Sequence, residues 1–296
     1  MKPLTSGPVL TSDFAIQYDI NSLGHRDEPF NIYKSSKQPV ALFLGDSQTF
    51  GEGVPIGNRF SDLVRNAFPN SLIQNSGVPG YGLHQMVQYY EHYGQALNPC
   101  VVFLCLIEED IRRAWRANVL NDTTPIQVTT AHSRPIDRLY HGYYARRFGT
   151  KLHNALTASW LYSFASVKIR IAVVSKSIAD RDAKLWAQAS DRVSIDNDTL
   201  ANVSREWIEH IHNIALSNNT LLIVINITTD HIQYLAKLCD DLDIPYCDVA
   251  AQLNQRADIR YALDPHYNAL GHAIIGDAII SFLHNYSWPT MPCIMQ

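Results

Sequence analysis

Five short apolar runs, several of them continuous rather than alternating with polar residues, constrain this chain more than any other feature. They are "PVALFLG" (Pro39 to Gly45), "SLIQN" (Ser71 to Asn75), "CVVFLCLI" (Cys100 to Ile107), "LLIVINI" (Leu221 to Ile227) and the weaker "PYCDV" (Pro245 to Val249). A strand with one wet face alternates, whereas a strand covered on both faces reads as a continuous apolar run, and strands covered on both faces belong to parallel sheets. Parallel strands need long crossovers, and the segments between the runs supply helices with one apolar stripe. The stripes are Leu83, Met86, Val87 and Tyr90; Leu200, Val203, Trp207, Ile211 and Ile214; Ile232, Leu235, Cys239 and Leu242; and Ile274, Ala278 and Leu283. Alternation of strand and helix predicts an α/β chain with a parallel sheet covered on both faces.

Composition narrows the function classes. With 296 residues, 46% of them hydrophobic, the chain can bury a large core, as one α/β domain or two smaller ones. Its formal net charge of −4 gives no global attraction to nucleic acid. A small or glycan-like ligand is the expected partner. The five cysteines show neither a disulfide framework nor a zinc spacing, and Cys100 and Cys105 read as small core residues in a strand. The start, "MKPLTSGPVLTSDF", has no long apolar segment, and no membrane-spanning run occurs, so a cytoplasmic location is the default expectation, with an exported form equally compatible once a leader is removed.

One region breaks the rhythm. The segment from about 114 to 197 is too long for a simple crossover and is expected to form a helical, cap-like insert within a single domain. Between residues 131 and 178 it carries Arg134, Arg138, Arg146, Arg147, Lys151, Lys168, Arg170 and Lys176 against Asp137 alone. Tyr143, Tyr144, Arg146 and Arg147 are candidate substrate contacts, because aromatic rings stack on sugar faces and guanidinium groups pair with carboxylate or phosphate. The plainer reading is a solvated basic face with tyrosines packed beneath it.

Chemistry concentrates at two places. In an open parallel sheet, ligands bind outside the carboxyl ends of the strands, and Ser47 in "VALFLGDSQTFGEGV" lies just past such an end. Ser47 is either a nucleophile, helped by the backbone N–H groups of a following helix, or a serine that caps that helix. A serine nucleophile needs a base and an orienter. The tail, "ALDPHYNALGHAIIGDAI", supplies both: Asp264 sits two residues before His266 in a loop ahead of the last helix, with Asn268 placed to cap that helix. His272 falls inside the helix and reads as a packing residue.

These residues carry a resemblance. "NSLGHRD" (Asn21 to Asp27), "GDSQTFGEGV", "NSGVPGYG" (Asn75 to Gly82) and "DPHYNALGH" (Asp264 to His272) occur in the order in which similar blocks occur in the SGNH or GDSL-type hydrolases, and most closely in branches common among bacterial glycan-modifying proteins. The resemblance implies a flavodoxin-like three-layer α/β/α sandwich with a five-stranded parallel sheet. It also implies Ser47 as nucleophile, His266 as general base, Asp264 as its orienter, and the backbone N–H groups of Ser47 and Gly80 as oxyanion-hole donors. It brings no cofactor and no metal.

The chain departs from the pattern after the third sheet strand. The family has an asparagine there whose amide donates to the oxyanion, whereas this chain reads "CLIEEDIRR", with Glu109 in that place. An ionised glutamate has no donor; a protonated one donates through its O–H. Three readings follow: a serine ester hydrolase acting through an acyl-enzyme on small-molecule or glycan esters, an O-acyltransferase with the same triad, and a catalytically impaired member that binds a glycan or protein.

Overall fold

The structure is a computed structural model that describes residues 1–11, 13–30, 38–120 and 195–285. Apart from residue 195, these fall within one of two compact units of the chain, Met1–Ile126 together with Asp196–Gln296. The five apolar runs form one parallel sheet: β3 (Val40–Leu44), β4 (Leu72–Asn75), β5 (Val101–Leu106), β6 (Leu221–Asn226) and β7 (Tyr246–Asp248). Their order is β4-β3-β5-β6-β7, so the second sheet strand lies outside the first and the rest follow on the other side. This is the flavodoxin-like order, with its switch point between β3 and β5. All residues of β3 and β5 are buried, as their unbroken apolar runs require.

Helices cover both faces. Odd-numbered strand residues, Ala41, Phe43, Phe103, Ile223 and Ile225, pack in one cluster with residues of α2 (Phe60–Ala67), α7 (Ala250–Leu253) and α8 (Ala269–Asn285). On the other side α3 (Leu83–His92) packs on α4 (Glu108–Leu120) and α5 (Asn197–Ser217), and α6 (Gln233–Asp241) packs on α5. Each of the four helical stripes falls on one of these helices, the third with Ile232 and Leu242 as the caps of α6, and none of the helices among the described residues is long and apolar enough to cross a membrane. Gly276 lets α8 approach α2, since a Cβ there would stand 2.9 Å from Leu63 Cδ1. A small antiparallel hairpin, β1 (Ser6–Leu10) and β2 (Ala15–Asp19), precedes the sheet. It escapes the strand pattern of the sheet because its residues alternate between half-buried and exposed.

Two sequence expectations need correction or limits. Cys105, Cys239 and Cys247 are free and buried, but Cys100 is disulfide-bonded, so it is not a plain core thiol; pairing depends on which segments meet in space, which spacing along the chain does not reveal. Of the expected insert only the ends are described: residues 114–120 continue α4 and Asn197 opens α5. Tyr143, Tyr144, Arg146 and Arg147 lie outside the described residues.

A buried network of charges joins the segments before and after β3. Arg59 is fully buried and donates to Asp27 Oδ1 and Asp62 Oδ1, each at 2.7 Å. Arg65 reaches the same two carboxylates at 2.8 and 2.7 Å. Asp27 Oδ2 also accepts the backbone N–H of Asn75 at 2.7 Å. Burial opposes charge on Arg59 and Asp62, but each supplies the other's counter-ion, which raises the guanidinium pKa and lowers that of the carboxyl. Arg59→Met leaves two buried carboxylates with Arg65 as their remaining shared cation. The unfolding free energy, from denaturant titration, is expected to fall by about 3–5 kcal/mol, and a loss below about 1 kcal/mol would contradict the role given to the network.

Candidate active site

β3 ends at Leu44, and the chain turns through Gly45 and Asp46 into α1 (Ser47–Phe50). Gly45 is required there, because a Cβ would fall 2.0 Å from Thr49 Oγ1. Asp46 is the N-cap, accepting the Gln48 N–H at 2.8 Å, so Ser47 is the first helical residue and its hydroxyl is not spent on capping. The helix is shorter than a dipole argument needs. It is four residues long and stops at Gly51, whose φ of 79° is left-handed. What α1 offers is therefore its local N–H groups rather than a macrodipole.

Ser47 meets the tail of the chain. His266 Nε2 lies 2.7 Å from Ser47 Oγ, and His266 Nδ1 lies 2.5 Å from Asp264 Oδ1. Asp264 Oδ1 also accepts the backbone N–H of His266 at 3.0 Å. With Nδ1 donating to the carboxylate, Nε2 of the neutral ring is left to accept the serine proton. The loop is pinned from both sides: Tyr267 N–H donates to Gln48 Oε1 of α1 at 3.1 Å, and Asn268 Oδ1 caps α8 through the N–H groups of Leu270 and Gly271. His272, one turn into α8, is buried, stacks on Phe60, and accepts the Phe60 N–H at 3.2 Å through Nδ1. Burial and the nearby Arg59 push its pKa down to about 3, which keeps it neutral and structural.

Gly80 lies in the loop after β4. Its φ of 82° is left-handed, and no heavy atom stands within 4 Å of where a Cβ would be. Backbone conformation, and not crowding within the protein, therefore demands glycine here. Close approach is met instead at Gly77, where a Cβ would fall 2.4 Å from Phe50 N. This packs the loop against α1, and Val78 N–H bonds Gly45 O at 3.0 Å. Among the described residues no acceptor meets the backbone N–H of Ser47 or of Gly80.

Glu109 is the second residue of α4. Its carboxylate accepts from Arg116 and lies 3.9 Å from Arg113 Nε, so it is engaged as an acceptor along its own helix, with no hydrogen bond to Ser47 or Gly80. The buried carboxylate at this strand end is the next residue, Asp110, which accepts from the Ile107 N–H at 3.0 Å and from Arg113 at 2.7 Å. Burial, and then the charge of Asp46, raise its pKa well above the usual range, against the pull of Arg113. Two contributors gave no sequence signal of their own: Arg113, which bonds Asp46, and Gln48, which holds the histidine loop; a third, Arg26, lies in the "NSLGHRD" block but had no role read for it. Arg26 is buried, donates to the carbonyls of Phe50, at the end of α1, and of Gly51 and Val54 beyond it, and stacks over Tyr18 with Cζ 4.2 Å from the ring centroid.

No family model matches the sequence, and no curated protein matches it. Solved structures with a similar fold include a lipolytic protein of the G-D-S-L family from Veillonella parvula, 13% identical with a TM-score of 0.46 over 83% of this chain and 98% of that one. An esterase from a Pseudoalteromonas species is 8% identical with a TM-score of 0.48, covering 83% and 97%. A two-domain esterase active on acetylated mannans is 12% identical with a TM-score of 0.46, covering 86% of this chain and 51% of its own. Likenesses this distant leave the chemistry to be argued from the site.

His266 itself gives a test of the geometry. Burial works against its charged form, but the hydrogen bond and charge of Asp264 outweigh burial, with Glu52 and Asp46 adding to them, so its pKa is raised above the ordinary 6.5. A raised folded-state pKa contributes stability below pH 6.5 that is lost as pH rises through the folded value. In an NMR titration the His266 imidazole is expected to titrate above 6.5, and in Asp264→Asn below the wild-type value, since burial then acts without its counterweight. Unchanged titration in that variant would contradict the pairing.

Proposed function

We propose that the chain is a serine-dependent carboxylic ester hydrolase acting through an acyl-enzyme. The observation that carries this reading is the continuous hydrogen-bonded line from Ser47 Oγ through His266 to Asp264 at the carboxyl ends of the strands. Ser47 Oγ attacks the ester carbonyl carbon while His266 Nε2 takes the hydroxyl proton. Asp264 holds the ring in the tautomer that allows this and stabilises the imidazolium that forms. The carbonyl oxygen, now an alkoxide, accepts the N–H groups of Ser47 and Gly80. Collapse expels the alcohol, which takes its proton from His266, and a water activated by the same nitrogen then hydrolyses the acyl-enzyme. None of these steps calls for a metal or an organic cofactor.

O-acylated glycans are the substrate class that the four sequence blocks suggest, and an anionic glycan is the form that the basic segment at 131–178 suggests. An O-acyltransferase would use the same steps with a sugar hydroxyl in place of water. Release of free acid in the presence of a polyol separates the two, since a transferase yields the polyol ester. Glu109 favours a slow enzyme, because loss of one oxyanion donor costs on the order of 10²–10³ in turnover.

A fluorophosphonate is expected to label the native protein at Ser47, and His266→Ala to abolish labelling with the circular dichroism spectrum unchanged. Equal labelling of native and unfolded protein, or labelling elsewhere, refutes the triad. Glu109→Asn is expected to raise turnover of a short ester at least about tenfold if position 109 faces the oxyanion. Unchanged turnover would mean that its ion pairs along α4 keep it out of the hole.

A further inference from the structure

Arg113 stands where the segments that follow three adjacent strands meet. A single nitrogen, Nη1, has three acceptors around its two N–H groups: Asp46 Oδ2 at 3.2 Å, the Tyr81 carbonyl at 3.0 Å and Asp110 Oδ1 at 2.7 Å. Asp46 caps α1 and directly precedes Ser47, Tyr81 directly follows Gly80, and Asp110 lies in the first turn of α4 after β5. Asp46 Oδ2 is itself 3.4 Å from Ser47 Oγ, so the guanidinium lies within two hydrogen-bond lengths of that oxygen. Gly82 lets α4 come this close, for a Cβ there would sit 2.7 Å from Arg113 Cβ. Asp46 and Asp110 are both buried, and Arg113 is the cation that they share. The histidine loop is held separately, by Gln48 and Tyr267.

We propose that Arg113 is a positioning residue that fixes the Ser47 turn relative to the Gly80 loop, and so sets the spacing of the two backbone N–H groups that receive the oxyanion. The proposal rests on the ester-hydrolase reading and extends it to a residue that bonds neither Ser47 nor His266. In a site lacking the usual asparagine, the relative placement of the two remaining donors carries more of the transition-state stabilisation. Three acceptors gathered around one nitrogen have a further consequence. The ammonium of lysine, with three donors on one atom, can serve all three, whereas a guanidinium that bound substrate through its other nitrogens could not be so replaced.

The experiment compares Arg113→Met and Arg113→Lys with the wild type on a neutral short ester, with amide hydrogen exchange read over residues 46–51, 78–83 and 101–106. Arg113→Met is expected to lower kcat on the order of 10²-fold with KM within about twofold, as for misplaced groups that bind substrate unchanged. Exchange should quicken over 46–51 and 78–83 and stay as it was in β5. Arg113→Lys should recover at least about tenfold of the lost kcat and restore the slow exchange. Wild-type kcat and exchange in Arg113→Met would overturn the proposal, and so would a lysine variant as slow as the methionine one with KM raised, which would place the guanidinium on the substrate. If Arg113→Met loses protection in β5 as well, the lysine variant decides: kcat within about tenfold of wild type supports positioning, and a loss of about 10²-fold or more overturns it. A wild-type protein that neither turns over esters nor reacts at Ser47 refutes the hydrolase reading, and the exchange rates then decide alone whether Arg113 ties the two segments.

Discussion

The structure depends on a buried charge network centred on Arg59. Four ionic side chains, Asp27, Arg59, Asp62 and Arg65, come together with almost no water, and the desolvation of each is offset only because every charge has an opposite partner in hydrogen-bond contact. An apolar cluster of the same volume could supply comparable stability. What it could not supply is direction. The network bonds Asn75 at the end of β4, starts α2, and holds the 21–27 segment, whose Arg26 in turn takes the carbonyls at the end of α1 and just beyond it. Chain segments far apart in sequence are thus fixed around the turn that carries Ser47.

The hydrogen-bonded line from Ser47 through His266 to Asp264 is assembled by the same means, on a smaller scale. Ser47 and His266 are 219 residues apart, and their meeting is secured by neighbours rather than by their own bond: Tyr267 on Gln48, Tyr261 on the carbonyl of Gly53, Asn268 on the carbonyls of Asp258 and Arg260. These are hydrogen bonds between main chain and side chain, which fix a loop without filling it. A loop so held keeps the imidazole within hydrogen-bond reach of the serine.

Glu109 and Arg113 show how a departure in sequence can be absorbed in space. Glu109, read alone, places a negative charge where a donor is expected. Its carboxylate is engaged by arginines one and two turns along α4, and one of them, Arg113, also pairs with Asp46 and Asp110. The helix carries its own counter-charges at i, i+3 and i+4 spacing, so each acidic residue at the start of α4 has an arginine partner.

The five strands, the helices with apolar stripes and the parallel order were legible in the sequence, because burial on both faces leaves unbroken apolar runs and a helix that covers a sheet must repeat at its own period. That Ser47 lies at a strand end and that Asp264 and His266 share one loop were legible too, and the structure brings the three into one hydrogen-bonded line. The residues that hold them were not. Arg59, Asp62 and Arg65 carried no signal in the sequence, and only the tertiary structure shows their charges gathered on Asp27. Whether Ser47 or Asp46 capped α1, whether Gly80 was needed for its space or its φ, and whether Glu109 met Ser47 or its own helix all turned on distances between segments. Local sequence fixes which groups are available along a segment; which of them meet is set by how the sheet and its crossovers pack, and that is a property of the whole fold.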